Sequence, residues 1–143
     1  MTGDPVPDTH HIARLCGGAT IDEEGAVTGA AFRLRANEGY LSVNWLEHLS
    51  QIDRPSEIAE LRRILTGKGM KLGAMARLAV LQVGPLRGHV GAESPDRRDL
   101  NVLHEPFPED DSHCGIYGFR HDDDLIADLI AEIVRETYSA RAD

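Results

Sequence analysis

Leu78-Ala79-Val80-Leu81-Gln82-Val83 is nearly all apolar and is followed at once by Gly84-Pro85. Its length suits a strand, and its lack of alternation suits a central strand covered on both faces. Upstream, the segment from Pro55 to Thr66 reads as a helix. Pro55 stands where a first-turn proline belongs, Ile58, Leu61, Ile64 and Leu65 share one face, and Gly67 ends it. Downstream, Arg87 to Asp99 is polar, with a glycine, a proline and paired arginines, and reads as an exposed loop. Leu100 to His104 alternates as a second strand.

The end of the chain carries the clearest helix. Asp122-Asp123-Asp124 sets three carboxylates where a helix start favours them. Leu125, Ile126, Leu129, Ile130, Ile133, Val134 and Tyr138 then form one apolar stripe that must pack on the sheet. Nearer the start, Ala30, Phe32 and Leu34 alternate with Ala31, Arg33 and Arg35. With the turn Asn37-Glu38-Gly39 and the run Tyr40 to Val43, this predicts a hairpin. Asn44 to Leu49 suits a helical turn. His10 to Cys16 reads as a short helix capped by Asp8 or Thr9 and stopped by Gly17-Gly18. Residues 1–8 read as a disordered lead-in. The expected architecture is one α+β domain over residues 9–143. It has a small, mostly antiparallel sheet of about four or five strands, packed by two or three helices, the C-terminal one amphipathic.

With 143 residues, the chain can bury a core without metal or disulfide. Hydrophobic residues make up 41% and charged residues 27%, ordinary for a globular domain. A formal net charge of -9 argues against a broad surface for duplex nucleic acid, whose affinity rests on Lys and Arg. Arg62, Arg63, Lys68, Lys71 and Arg77 form a local basic region, read first as a solvated face and second as a nucleotide phosphate site. The first eight residues have no basic start and no apolar core, and no run approaches a membrane span. Cys16 and Cys114 are expected to be free thiols in a cytoplasmic protein.

The densest chemistry lies in His104-Glu105-Pro106-Phe107-Pro108-Glu109-Asp110-Asp111-Ser112-His113-Cys114, a loop after a strand. Cys114 beside Gly115 could be a nucleophile, but the neighbouring carboxylates would raise its pKa. The plainer expectation is a buried cysteine entering the short strand Gly115 to Gly118. Candidate metal ligands are His10, His11, Cys16, His104, His113 and Cys114, with His11, Cys16 and Cys114 foremost. No CxxC pair or His-Glu-x-x-His helix accompanies them, so no cofactor is expected, and zinc would need these distant segments to converge. Asn44 suits the cap of a turn. In a functional reading Ser42, Asn44 and Glu47 rim a cleft with Trp45 as its wall, and Arg33 and Arg35 fork onto a phosphate or carboxylate. No P-loop, dinucleotide fingerprint or nucleophile elbow is present, and Gly67-Lys68-Gly69 is too short for a phosphate loop.

Ala31-Phe32, Leu41-Ser42-Val43-Asn44-Trp45-Leu46-Glu47, Pro108 and Ser112-His113-Cys114-Gly115-Ile116-Tyr117-Gly118 carry a resemblance. The chain resembles a group of small bacterial proteins that share these "AF…LSV" and "P…H(A/C)G" segments and have no established activity. The resemblance implies a bacterial source, favours His113 over the other histidines, and implies work beside partner proteins in a defence or conflict setting. The order of an arginine, a strand serine and a late polar residue also resembles ADP-ribosyltransferase-like folds.

Two functional classes follow. One is an interaction or regulatory subunit that binds another protein chain, without membrane contact. The other is a small enzyme acting on a nucleotide or nucleic-acid end, with His113, His104 and Asn44 as catalytic groups. Arg33, Arg35, Ser42, Trp45 and Glu47 would then bind the ligand. With no legible catalytic motif, the interaction subunit is the first reading and the enzyme the alternative. Geometry separates them: the second requires His113 and Asn44 in one pocket about 10 Å across.

Overall fold

The computed structural model describes residues 3–121 and 123–141. The strands are β1 (His11–Cys16), β2 (Leu41–Trp45), β3 (Arg77–Gln82), β4 (Asn101–His104), β5 (His113–Tyr117) and β6 (Glu136–Ser139). The helices are α1 (Arg54–Gly67), α2 (Val83–Glu93) and α3 (Asp124–Glu132). The fold is α+β. The six strands form one sheet in the order β4-β5-β2-β1-β3-β6, and every pairing is antiparallel. No described helix is long and apolar enough to cross a membrane.

Helices cover both faces of this sheet, which accounts for the unbroken apolar run of β3. Leu78 and Val80 join Ala13, Ile58, Leu61 and Leu65 on the α1 face. Ala79 and Leu81 point the other way, into the larger cluster with Ile12, Leu41, Val43, Cys114, Ile116, Leu86, Val90, Ile126 and Ile130. Side chains alternate along a strand, so a two-sided sheet requires apolar residues at successive positions. α1 starts as its sequence suggests, with the Asp53 carboxylate accepting from the Ser56 amide at 2.9 Å and Pro55 in the first turn.

Several segments differ from expectation. His10 to Cys16 is not a helix: β1 lies inside the sheet, hydrogen-bonded on one side to β2 and on the other to β3. Its Ile12, Ala13 and Cys16 are buried on alternating faces, a two-sided pattern that Arg14 conceals. Ala30 to Arg35 is not a strand. Gly29–Phe32 forms a 3-10 turn that sinks Ala31 and Phe32 into the core, so the hairpin is absent and β2 pairs with β1 and β5 instead. This turn sits hard against α3, where a Cβ on Gly29 would lie 1.9 Å from the Asp128 carboxylate. The segment read as an exposed loop contains most of α2. Pro85 sits in that helix's first turn, where a missing N–H costs nothing, and Val83, Leu86 and Val90 bury one stripe. α3 ends at Glu132, and Tyr138 of the expected stripe belongs to β6, which pairs with β3. Asp122 lies outside the described residues.

Of residues 1–8, Met1 and Thr2 also lie outside the description. Pro5 bridges to Leu103 of β4, and the buried Val6 donates to the Val102 carbonyl at 2.9 Å.

Candidate functional site

β1 and β2 are paired only at Ile12 with Trp45 and Ala13 with Asn44. Beyond that point the strands part, and the Arg14 guanidinium fills the opening. Its Nε donates to the Ala31 carbonyl at 3.0 Å and its Nη1 to the Ser42 carbonyl at 2.8 Å. A cleft of about 350 Å³ opens here, lined by Arg14, Arg35, Glu38, Ser42, Asn44 and His113, with Lys68, Leu65 and Met70 closing it from the α1 side. Burial draws the Arg14 pKa down, with Glu38 opposing that shift. Among the described residues Arg14 has two carbonyl partners and no carboxylate partner.

Asn44 and His113 are direct cross-strand partners, so both side chains rise from the same face of the sheet. Behind them sits a buried polar network. The Asp110 carboxylate, 1% exposed, accepts from Asn44 Nδ2 at 2.8 and 3.0 Å, from Ser112 Oγ at 3.0 Å and from Lys68 Nζ at 2.8 Å. Burial alone would raise the Asp110 pKa; the bonds from Lys68, Asn44 and Ser112 outweigh it and hold the carboxyl below its ordinary value. The loop presents Asp110 through a tight bend in which Phe107 and Asp110 exchange two backbone bonds of 3.0 Å.

His113 is 2% exposed. Its ring stacks on Phe107 with centroids 4.3 Å apart and meets Tyr40 edge-on at 5.8 Å. Nδ1 lies 2.8 Å from the Glu105 carbonyl. A carbonyl only accepts, so Nδ1 carries the hydrogen and Nε2 keeps a lone pair. Desolvation pushes the imidazole pKa down, with the nearby Lys68 charge acting in the same direction, and the Glu105 bond opposes them only in part. Burial therefore favours the neutral ring. Among the described residues no enclosed side-chain nitrogen or oxygen lacks a partner. Among the described residues His113 Nε2 has no partner, and His113 lines the cleft. The Asn44 amide hydrogens are committed to Asp110 and Ser112, which leaves the Asn44 Oδ1 open there as well. Ser42 is exposed.

The remaining expected site residues lie elsewhere. His104 pairs with Cys114, one position from His113, and so faces the opposite side of the sheet. The cleft does not contain it, so the structure brings together His113 and Asn44 of the expected catalytic set and leaves His104 on the other face. His104 Nε2 donates to the Asp111 carbonyl at 2.7 Å, and its ring packs against Trp45 and His48. Trp45 shares that side and donates its indole N–H to His10 Nδ1 at 2.9 Å. Glu47 lies past the end of β2, where its carboxylate takes the backbone N–H of His11 at 2.7 Å and meets the His11 ring at 2.6 Å. Arg33 pairs with Asp124 at the start of α3, while Arg35 lines the cleft.

Cys16 and Cys114 are buried in the larger core cluster. Desolvation pushes their thiols up to about 11 and about 12, so burial disfavours the thiolate at both positions. With His11 bound to Glu47, the three foremost candidate metal ligands do not converge. Among the described residues no group of histidine, cysteine or acidic side chains has metal-holding geometry.

Arg14, Lys68 and Asp110 complete the site; sequence reading missed Arg14 and Asp110 as site residues and placed Lys68 only in a basic region whose second reading was a phosphate site. Arg14 was hidden by the helical reading of β1. Lys68 stands in the Gly67-Lys68-Gly69 triplet, whose meaning comes from a partner in the loop 42 positions away. No family model, curated protein or solved structure matches this chain.

Proposed function

We propose that the chain binds a small anionic molecule, bearing a phosphate or carboxylate, in the cleft between β1, β2, β5 and α1. The observation that carries this reading is the charge of the lining. In a chain of net charge -9, the cleft gathers Arg14, Arg35 and Lys68 against the single carboxylate of Glu38. A guanidinium held only by carbonyls has its hydrogen bonds but, among the described residues, no carboxylate in direct contact, and a bound anion would supply that contact. The nucleotide expected from sequence belongs to this ligand class. An enzyme built on this cleft would use the neutral His113 Nε2 as its proton acceptor.

The test is calorimetric titration with inorganic phosphate and with acetate. Binding of at least one, weakened severalfold or more in Arg35→Ala, is the expected result. Arg35 is the variant of choice because it is exposed and, among the described residues, its side chain has no hydrogen-bond or ion-pair partner. If neither anion binds, or if Arg35→Ala binds as wild type does, the reading fails.

A second reading rests on Ile52 and Met75, which are 94% and 65% exposed. Large apolar side chains in water on two separate connections suit a subunit of a larger protein assembly. In that case wild-type chain co-purifies with a stoichiometric partner and Ile52→Asp does not. A monomer that captures nothing argues against it.

A further inference from the structure

From the groups that face the anion site, and resting on that reading, we infer that the ligand is a hydroxylated phosphate, of the sugar-phosphate or ribonucleotide class. The cleft has two chemically distinct ends. Arg14 and Arg35 form the cationic end, where the guanidinium of Arg14 sits on the backbone of Ser42. Two residues further along β2, Asn44 and its partner His113 form the other end. Two residues of strand span about 6.8 Å, comparable to the reach from a phosphate to the far hydroxyls of a pentose.

The second end is rich in acceptors. His113 Nε2 holds a lone pair because Nδ1 is tied to the Glu105 carbonyl. Asn44 Oδ1 is an acceptor because its amide hydrogens are tied to Asp110 and Ser112. Nearer the cationic end, Glu38 adds a carboxylate at the rim, and Ser42, between the two ends, adds a hydroxyl with no hydrogen bond among the described residues. Both tautomer and amide orientation are thus set by buried partners and cannot reverse to meet a ligand acceptor. Acceptors held this way select a ligand that brings donors, and neutral hydroxyls fit where a cation would meet Lys68 and the arginines. A bare anion would satisfy the first end alone. Ligand sites span about 300–1,000 Å³, and about 350 Å³ suits a single sugar phosphate or mononucleotide, not a dinucleotide.

Titrations with inorganic phosphate and with ribose 5-phosphate separate this inference from the reading beneath it. Ribose 5-phosphate is expected to bind about tenfold or more tightly than phosphate, a difference of about 1.4 kcal/mol. His113→Phe keeps an aromatic ring between Phe107 and Tyr40 but removes Nε2, and Ser42→Ala removes an unpartnered hydroxyl. Each is expected to erase most of the preference for ribose 5-phosphate while changing phosphate affinity less than twofold. Ser42→Ala decides the matter alone if His113→Phe does not fold. Phosphate binding without a preference for ribose 5-phosphate overturns this inference and leaves the anion site standing. Equal losses for both probes in Ser42→Ala do the same. Failure of both probes to bind wild type overturns the two together.

Discussion

Replacing Asp110 by asparagine is the sharpest perturbation of the network beneath the cleft. The carboxylate has no exposed side-chain surface, while Lys68 keeps 18% of its own. Asparagine preserves the shape but supplies only one acceptor oxygen. Its NH2 must then oppose the Asn44 amide, the Ser112 hydroxyl or the Lys68 ammonium. Removing one member of a buried, hydrogen-bonded ion pair typically costs about 3–5 kcal/mol, because the other charge stays behind. Lys68 can swing partly into water, which sets the expected loss near the lower bound, about 3 kcal/mol. For a chain of this size that lowers Tm by about 10 °C. Urea unfolding of wild type, Asp110→Asn, Lys68→Met and the double variant measures it. The double variant is expected to lose clearly less than the sum of the single losses, since the two groups share one interaction. The same pair sets a pH dependence. The folded pKa of Asp110 lies below its ordinary value, so its stabilisation is complete above that ordinary value. It is lost as pH falls through the lower folded value. An Asp110→Asn loss under 1 kcal/mol, or an additive double variant, would refute the reasoning.

Gly115 is expected to resist substitution, because a Cβ there would lie 2.6 Å from the Tyr40 ring and 3.0 Å from Tyr117. Gly115→Ala should lose about 1–3 kcal/mol in chemical unfolding, and a neutral result would mean Tyr40 does not lie against β5. Both thiols are expected to be inert in the folded chain, since desolvation holds Cys16 at about 11 and Cys114 at about 12. A coloured disulfide reagent at pH 8 should register no fast reaction until denaturant is added, and then two equivalents; rapid labelling of either cysteine in the native state contradicts the core placement.

The legible parts of this fold were those whose local pattern and tertiary setting agree. Pro55, the apolar face of Ile58, Leu61 and Leu65, and Gly67 placed α1 within a residue of its ends. The apolar run at Leu78 to Leu81 was readable as covered on both faces because α1 and the α2–α3 layer do cover it. β1 was misread because its two-sided burial leaves no alternation, and a six-residue apolar-rich stretch suits a helical turn equally well. The turn at Gly29–Phe32 was misread for the converse reason, as alternating apolar residues need not face a sheet. Within the site, the pairing of His113 with Asn44 could be guessed from the order of strand and loop. The exclusion of His104 followed only from register, since one residue's difference moves a side chain to the other face.

Residue types and their spacing determined, unaided, that this chain is a single acidic α+β domain with buried apolar strands and a loop dense in titratable groups. Only the tertiary structure decided which of those groups meet. Convergence depends on strand order and register, which are settled by contacts between segments far apart in the chain. The lone pair on His113 and the open oxygen of Asn44 exist as such because Glu105, Asp110 and Ser112 are held where they are.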